Sequence, residues 1–403
     1  MNFSLAPTEL AFRDELRAWI QKHIPGDFGT PRWPAPEGHG AKLAAGVAWA
    51  KKLNEGRWAA VHWPAAYGGR DASPMEQFIL YDEMAGYRTP IPPTVIGLGM
   101  AGPVLMHYGT DAQRERYLRK IVSADEIWCQ GFSEPNAGSD VANLSTSAVA
   151  SGDHYLVNGQ KIWTSFGSDA DWCLLLARTD PTVPKHKGIS CLLVDMRTPG
   201  VEVRPIRQIT GESEFTEVFF TNVVVPRANL LGREHDGWRV AITTLMHERA
   251  NIAALVYAGF KRELREVVGL AKRLTRHGRP LTEDPVVRRK LVDYYAVAET
   301  LRINNIRMRV GKSAADDPGP IGSIFKLVWA TANQSMHRLA VDVLGPAAEL
   351  LAGPGAESGG HGDWLKRYLR TLANSIEGGT SEILRGIVAE RILGLGRTLG
   401  KAS

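Results

Sequence analysis

In the run HYLVNGQKIWTSFG, His154 to Gly167, a helical pattern gives way to a pattern of period two. Apolar and polar residues alternate through it, and Asn158-Gly159 predicts a two-residue hairpin turn between two strands. The runs WCLLLAR, ISCLLVD, VEVRPI and EVFFTNVVV follow at turn-separated intervals, so residues 126–233 are expected to form a compact β domain. Within the opening run Trp163 and Ser165 end a strand. Taken alone, Trp163 reads as a core tryptophan.

On the N-terminal side, residues 1–125 read as helical. Phe12, Leu16 and Trp19 recur at helical spacing. Ser73-Pro74 with Glu76 predicts one helix start, and Thr110 with Gln113, ahead of Tyr117, Leu118 and Ile121, predicts another. The Pro- and Gly-rich stretches PRWPAPEGHG and WPAAYGG separate these helices. On the C-terminal side, residues 234–403 return to long helices. Asp284-Pro285 opens one whose stripe is Val287, Leu291, Tyr294, Ala298 and Leu301, with Gly311 as its expected stop. Four or five such segments are enough for a bundle, and the predicted order is α, then β, then α.

Composition narrows the function classes. Basic residues are scattered among acids, so a net charge of +5 and a pI near 9.0 fit a solvated mixed-charge surface, and no nucleic-acid partner is expected. The three cysteines, Cys129, Cys173 and Cys191, lack metal-ligand spacing and sit in strand-like runs, which predicts buried free thiols and no metal. The start, MNFSLAPTELAFRDELRAWI, has early acids and no continuous apolar stretch, and no run elsewhere is long enough to span a bilayer. A cytoplasmic protein without a membrane span is therefore expected.

Three motifs carry the chemistry. FSEPNAGSD follows a strand and brings Ser133, Pro135, Gly138 and Ser139 into one loop, NGQKIWTSFG ends the next strand, and EGGTSEILRGIVAERILG lies near the C-terminus. Each is weak alone. In this order and spacing they are specific, and nearly the whole chain resembles the acyl-CoA dehydrogenase family. That resemblance implies an α+β fold of N-terminal helical domain, middle β-barrel domain and C-terminal helical bundle. It also implies FAD as cofactor and α,β-dehydrogenation of an acyl-CoA thioester to the trans-2-enoyl-CoA. Electrons would pass to an electron-transferring flavoprotein.

By position, the resemblance sets Gln130, Phe132 and Ser133 along the flavin, Trp163 and Ser165 on its other side, and Thr380 and Glu382 near the FAD phosphates. Ser139 would touch the pantetheine arm of the substrate. The bundle departs from the family pattern: where relatives grip the adenosine half of FAD, this chain has His277 in LTRHGRP and Asp342 and Pro346 in DVLGP. Either a homotetramer or a heterotetramer with a homologous chain is compatible with that. A catalytically silent subunit paired with an active homologue is the alternative to an enzyme.

The base of the commonest branch would fall on Gly378, and Glu377 is one residue off, which turns a helical side chain by about 100°. A second branch places its glutamate on the first long C-terminal helix before an arginine. Here that is Glu248, followed by Arg249, a candidate substrate contact. Ala241, Leu245, Glu248, Ile252 and Leu255 share one stripe, and a carboxylate on an apolar stripe resists ionisation, which suits a base. Gly378 keeps an N–H for the thioester carbonyl, and alanine there is expected to be mild unless the backbone is left-handed. GLGMAG, Gly97 to Gly102, either widens the acyl pocket or packs helices closely.

Overall fold

The computed structural model describes residues 4–30, 32–310, 321–349 and 361–396, with only the backbone at 249–252, 254, 309–310 and 361–362. Five helices come first: α1 (Pro7–His23), α2 (His39–Glu55), α3 (Pro74–Met84), α4 (Gly102–Tyr108) and α5 (Asp111–Val122). Eight strands follow: β1 (Trp128–Gly131), β2 (Ser147–Ser151), β3 (His154–Ser165), β4 (Trp172–Arg178), β5 (Ile189–Asp195), β6 (Val201–Ile206), β7 (Phe215–Pro226) and β8 (Leu230–Leu231). The long α6 (Gly237–Arg273) leads through a short hairpin, β9 (Thr275–Arg276) and β10 (Arg279–Pro280), to α7 (Pro285–Val310), α8 (Ile321–Leu344), α9 (His361–Thr371) and α10 (Ser381–Arg391). The chain divides into two compact units, Ala18–Ser73 with Arg88–Glu248, and Met1–Arg17 with Pro74–Tyr87 and Arg249–Ser403.

The first unit is built on one eight-stranded sheet of order β6-β7-β3-β2-β4-β5-β8, with β1 added parallel to β4. Because side chains alternate along a strand, β4 serves two cores. Trp172, Leu174 and Leu176 face Tyr117, Leu118 and Ile121 of α5, while Cys173, Leu175 and Ala177 face Tyr155, Val157 and Phe220. Cys129 lies opposite Cys173, and all three cysteines are buried free thiols. The Thr110–Gln113 capping box forms as its sequence predicts.

The second unit packs Phe78 of α3, Tyr257, Phe260 and Leu264 of α6, and Phe325 and Met336 of α8 around the α7 stripe. Every member of that stripe, Val287 to Leu301, is buried. Asp284 caps α7 by accepting from the N–H groups of Val286 (2.9 Å) and Val287 (3.2 Å). Gly311 lies outside the described residues.

Three expectations are corrected. Asn158-Gly159 is not a turn: β3 runs straight through it, and the chain reverses at Gly152-Asp153. The Asn158 side chain instead closes a bulge in β7, donating to Asn222 Oδ1 (3.1 Å) and accepting from Asn222 N–H (2.8 Å). Trp163 is not in the core; it is 57% exposed. The α6 stripe is not one buried face either, since Leu245 and Glu248 are half-buried and Leu255 is 44% exposed.

GLGMAG forms a π-turn, Gly97–Ala101, closed by Gly102 N–H on Gly97 O. Close packing accounts for its end glycines. A Cβ on Gly102 would stand 2.0 Å from Cζ2 of the fully buried Trp63, and one on Gly97 would stand 2.8 Å from Ile121 Cγ2. Gly102→Ala is therefore expected to cost about 1–3 kcal/mol or more in urea unfolding. Gly259→Ala, in α6 with no atom within 4 Å of its Cβ position, should instead gain up to about 1 kcal/mol.

Candidate functional site

In the first unit, the end of β1 and the end of β3 meet. Gln130 is half-buried on β1, and Phe132 (buried) and Ser133 (half-buried) follow it. Ser133 O accepts from Ile162 N–H at 2.9 Å, which ties the segment to β3 two residues before Ser165's neighbour Thr164. Beneath this junction lies an ion pair that the sequence reading missed. Lys161, fully buried, donates from Nζ to Glu134 Oε1 (2.7 Å) and to Phe132 O (3.2 Å). The other Glu134 bonds come from Ser145 N–H (2.7 Å), Ser145 Oγ (2.8 Å) and Thr146 N–H (2.9 Å). Burial pulls the Lys161 ammonium down to about 8, against the attraction of Glu134. Burial pushes Glu134 up, but the Lys161 charge and the donors from Thr146 and Ser145 outweigh it and hold the carboxyl at about 2.

Immediately after Lys161 the strand bulges. The pairing of β3 with β7 advances three residues from Lys161 to Thr164 while β7 advances two, from Val218 to Thr216. The extra residue lets Trp163 adopt φ 61° and turn outward, its ring edge-on to Phe215 at 6.1 Å, while Thr164 turns inward and is buried. Positive φ at a bulky residue is a genuine outlier, and bulges of this kind recur beside active sites. Ser165 is half-buried just beyond, and Ser139 is exposed on the loop whose next residue, Asp140, pairs with Lys185 (2.7 Å).

In the second unit, the residues before α10 form a tight turn. Gly378 (φ 61°) and Gly379 (φ 92°) are both left-handed, so the proviso on Gly378 fails, and alanine there is strained by about 1–2 kcal/mol. Thr380 caps α10 by accepting from Ile383 N–H (3.3 Å), and Glu382 is exposed beside Arg385. The buried Lys326 of α8 pins the turn, donating to Gly379 O at 2.6 Å. Among the described residues, no oxygen accepts from the N–H groups of Gly378, Gly379 or Thr380. Glu377 is held by Arg370 (2.9 and 3.2 Å) and by Asn374 Nδ2 (2.7 Å).

Glu248 is half-buried at the end of the α6 segment of the first unit. Thr244, one turn earlier, is buried and spends its hydroxyl on Val240 O (2.8 Å). Burial, then the charge of His107, lowers the pKa of neighbouring His247. The side chain of Arg249 lies outside the described residues. The departures from the family pattern are also visible: His277 (φ 52°) and Gly278 (φ 75°) make the exposed β9–β10 turn, and Asp342 pairs with Arg338 at 2.8 Å.

Residues 6–125, 129–223 and 235–393 match the models for the N-terminal, middle and C-terminal domains of acyl-CoA dehydrogenase. The chain belongs to the acyl-CoA dehydrogenase family. It is 37% identical to acyl-CoA dehydrogenase IpdE1 of Mycolicibacterium smegmatis, over 96% of this chain and 97% of that one. Acyl-CoA dehydrogenase FadE34 of Mycobacterium tuberculosis is 39% identical over 84% of this chain and 45% of its own length. Among solved structures, the Tcur3481-Tcur3483 steroid ACAD superposes with a TM-score of 0.83 at 32% identity, covering 99% of this chain and all of that one. The ChsE4-ChsE5 complex from M. tuberculosis gives 0.82, also at 32% identity over 99% of this chain and all of that one.

As an acyl-CoA dehydrogenase, the chain is an oxidoreductase with FAD as its cofactor. Its residues fit that group. Within the first unit the outward-turned Trp163 offers an aromatic surface, and within the second, taken by itself, the N–H groups of Gly378, Gly379 and Thr380 at the start of α10 suit an anionic oxygen. Among the described residues, no helix is long and apolar enough to cross a membrane.

Glu134 sits below its ordinary range of about 4.5 when folded, so the stability it contributes is complete above that pH and is lost as pH falls toward 2. Urea unfolding of the parent should therefore weaken steadily below about pH 5. Lys161→Met, already lower by about 3–5 kcal/mol near neutrality, should lack that acid limb.

Proposed function

We propose that this enzyme carries out α,β-dehydrogenation of an acyl-CoA with Glu248 as the base. The observation that carries the assignment is the fate of Glu377. Both oxygens of its carboxylate are engaged by Arg370 and Asn374, one residue away from the position the family pattern uses, and Glu248 is the other glutamate that pattern offers. Gly378 N–H donates to the thioester carbonyl and stabilises the charge that develops when Glu248 removes the α-proton. When bound, FAD would supply the acceptor for the β-hydrogen and its electron pair, so that loss of both hydrogens would give the trans-2-enoyl-CoA. Gln130, Phe132, Ser133, Trp163 and Ser165 line the flavin, Thr380 and Glu382 lie toward its phosphates, and Ser139 and Arg249 hold the substrate. The three family domains are assigned to 1–125, 126–233 and 234–403.

The acyl group is assigned to the steroid side-chain class, on the strength of the neighbour described as a steroid ACAD. The assembly is assigned as a heterotetramer with a homologous chain. Two observations support it: both structural neighbours reported above carry two chain names, and Asp342, at a position where relatives grip FAD, is occupied by Arg338. A cytoplasmic enzyme passing electrons to an electron-transferring flavoprotein completes the reading.

Anaerobic mixing of the flavin-loaded enzyme with a steroid acyl-CoA distinguishes the two glutamates. Glu248→Gln should slow flavin bleaching at least about a thousandfold, or about 4 kcal/mol of barrier, with ligand binding retained. Glu377→Gln should stay within about tenfold of the parent, or about 1.4 kcal/mol. The opposite pattern returns the base to the IEGGTSE segment.

A further inference from the structure

We infer that Lys161 and Glu134 are positioning residues that fix how the Phe132–Ser133 peptide is presented to FAD. The inference rests on the reading above that this segment and Trp163–Ser165 line the flavin. Lys161 is fully buried, and its Nζ has two acceptors, the Glu134 carboxylate and the Phe132 carbonyl. Glu134 in turn ties in Ser145 and Thr146, so one pair joins three segments of chain. Cys173 and Arg178 are the other ionisable groups that act on Lys161, and Cys173 Sγ lies 2.9 Å from the position of a Cβ on Gly131.

The peptide geometry gives the pair its directional effect. Across a trans peptide the C=O of one residue and the N–H of the next point in opposite directions. With Phe132 O drawn inward to Lys161, the N–H of Ser133 points away from the interior, and among the described residues it has no acceptor. Ser133 O is drawn to Ile162 N–H, so the segment is held at two successive carbonyls against the strand that bulges at Trp163. Apolar side chains of similar volume can replace a buried pair at little cost in stability, but they supply no donor to Phe132 O. Stability and presentation of the peptide are therefore separable.

The test compares Lys161→Met, Glu134→Gln and the double variant Lys161→Met/Glu134→Leu in the full chain. Apo protein is titrated with FAD, with thermal unfolding and amide hydrogen exchange over 131–137 measured in parallel. Lys161→Met should raise the FAD Kd at least tenfold and speed exchange in that segment. The double variant should regain thermal stability yet keep the weak FAD binding, a split that a purely structural role would not produce. If Lys161→Met fails to fold, the double variant carries the test alone. Unchanged exchange at 131–134, whatever the FAD affinity, overturns the inference and leaves the flavin reading intact. Faster exchange with unchanged FAD affinity overturns both, because it removes the flavin from this segment.

Discussion

Two opposite charges buried side by side in the first unit constrain most of what surrounds them. Removing an ammonium and a carboxylate from water is expensive, and the expense is met only while every remaining lone pair and proton has a partner. Lys161 and Glu134 meet that condition through Phe132 O, Ser145 and Thr146, so strands β1 and β3 and the start of β2 are fixed in one register. The crowding at Gly131 follows from it, because a side chain there would compete with Cys173, Leu175 and the Lys161 stem for one space. The bulge that turns Trp163 outward lies between the lysine and Thr164.

The two candidate glutamates sit in different local settings. Glu377 lies in a turn whose partners come from α9 and the residues after it, so its carboxylate is engaged by groups near in sequence. Glu248 lies at mid-helix beside the buried Thr244, whose hydroxyl is already bonded one turn back. The same residue type is thus set in a turn held by near neighbours in one case and on the face of a long helix in the other.

Much of the fold was legible because local rules governed it. The Thr110–Gln113 cap, the Asp284 cap and the α7 stripe need only neighbours within a few residues. Asn158-Gly159 misled because its turn propensity was overridden by Asn222, sixty-four residues away, which the Asn158 side chain bonds across the sheet. Trp163 misled because one extra residue in β3 reverses the inward and outward positions beyond it. The candidate site residues came from motif resemblance and not from periodicity. The buried pair did leave a trace: Lys161 shares parity with the inward Tyr155 and Val157, and a charge at an inward strand position calls for a partner. Which partner was not legible, since Glu134 reaches it from a separate loop.

The left-handed pair Gly378–Gly379 bears on how such enzymes diverge. A carboxylate at 378 would have to be carried by a residue with a Cβ at φ 61°, a conformation that side-chain-bearing residues resist. With Lys326 fastened to the next carbonyl, the turn cannot readily relax to a right-handed path. Placing a carboxylate at 378 is thus not a matter of exchanging one side chain for another. The backbone of the turn and its lysine would have to change together before a side chain at 378 could be carried without strain.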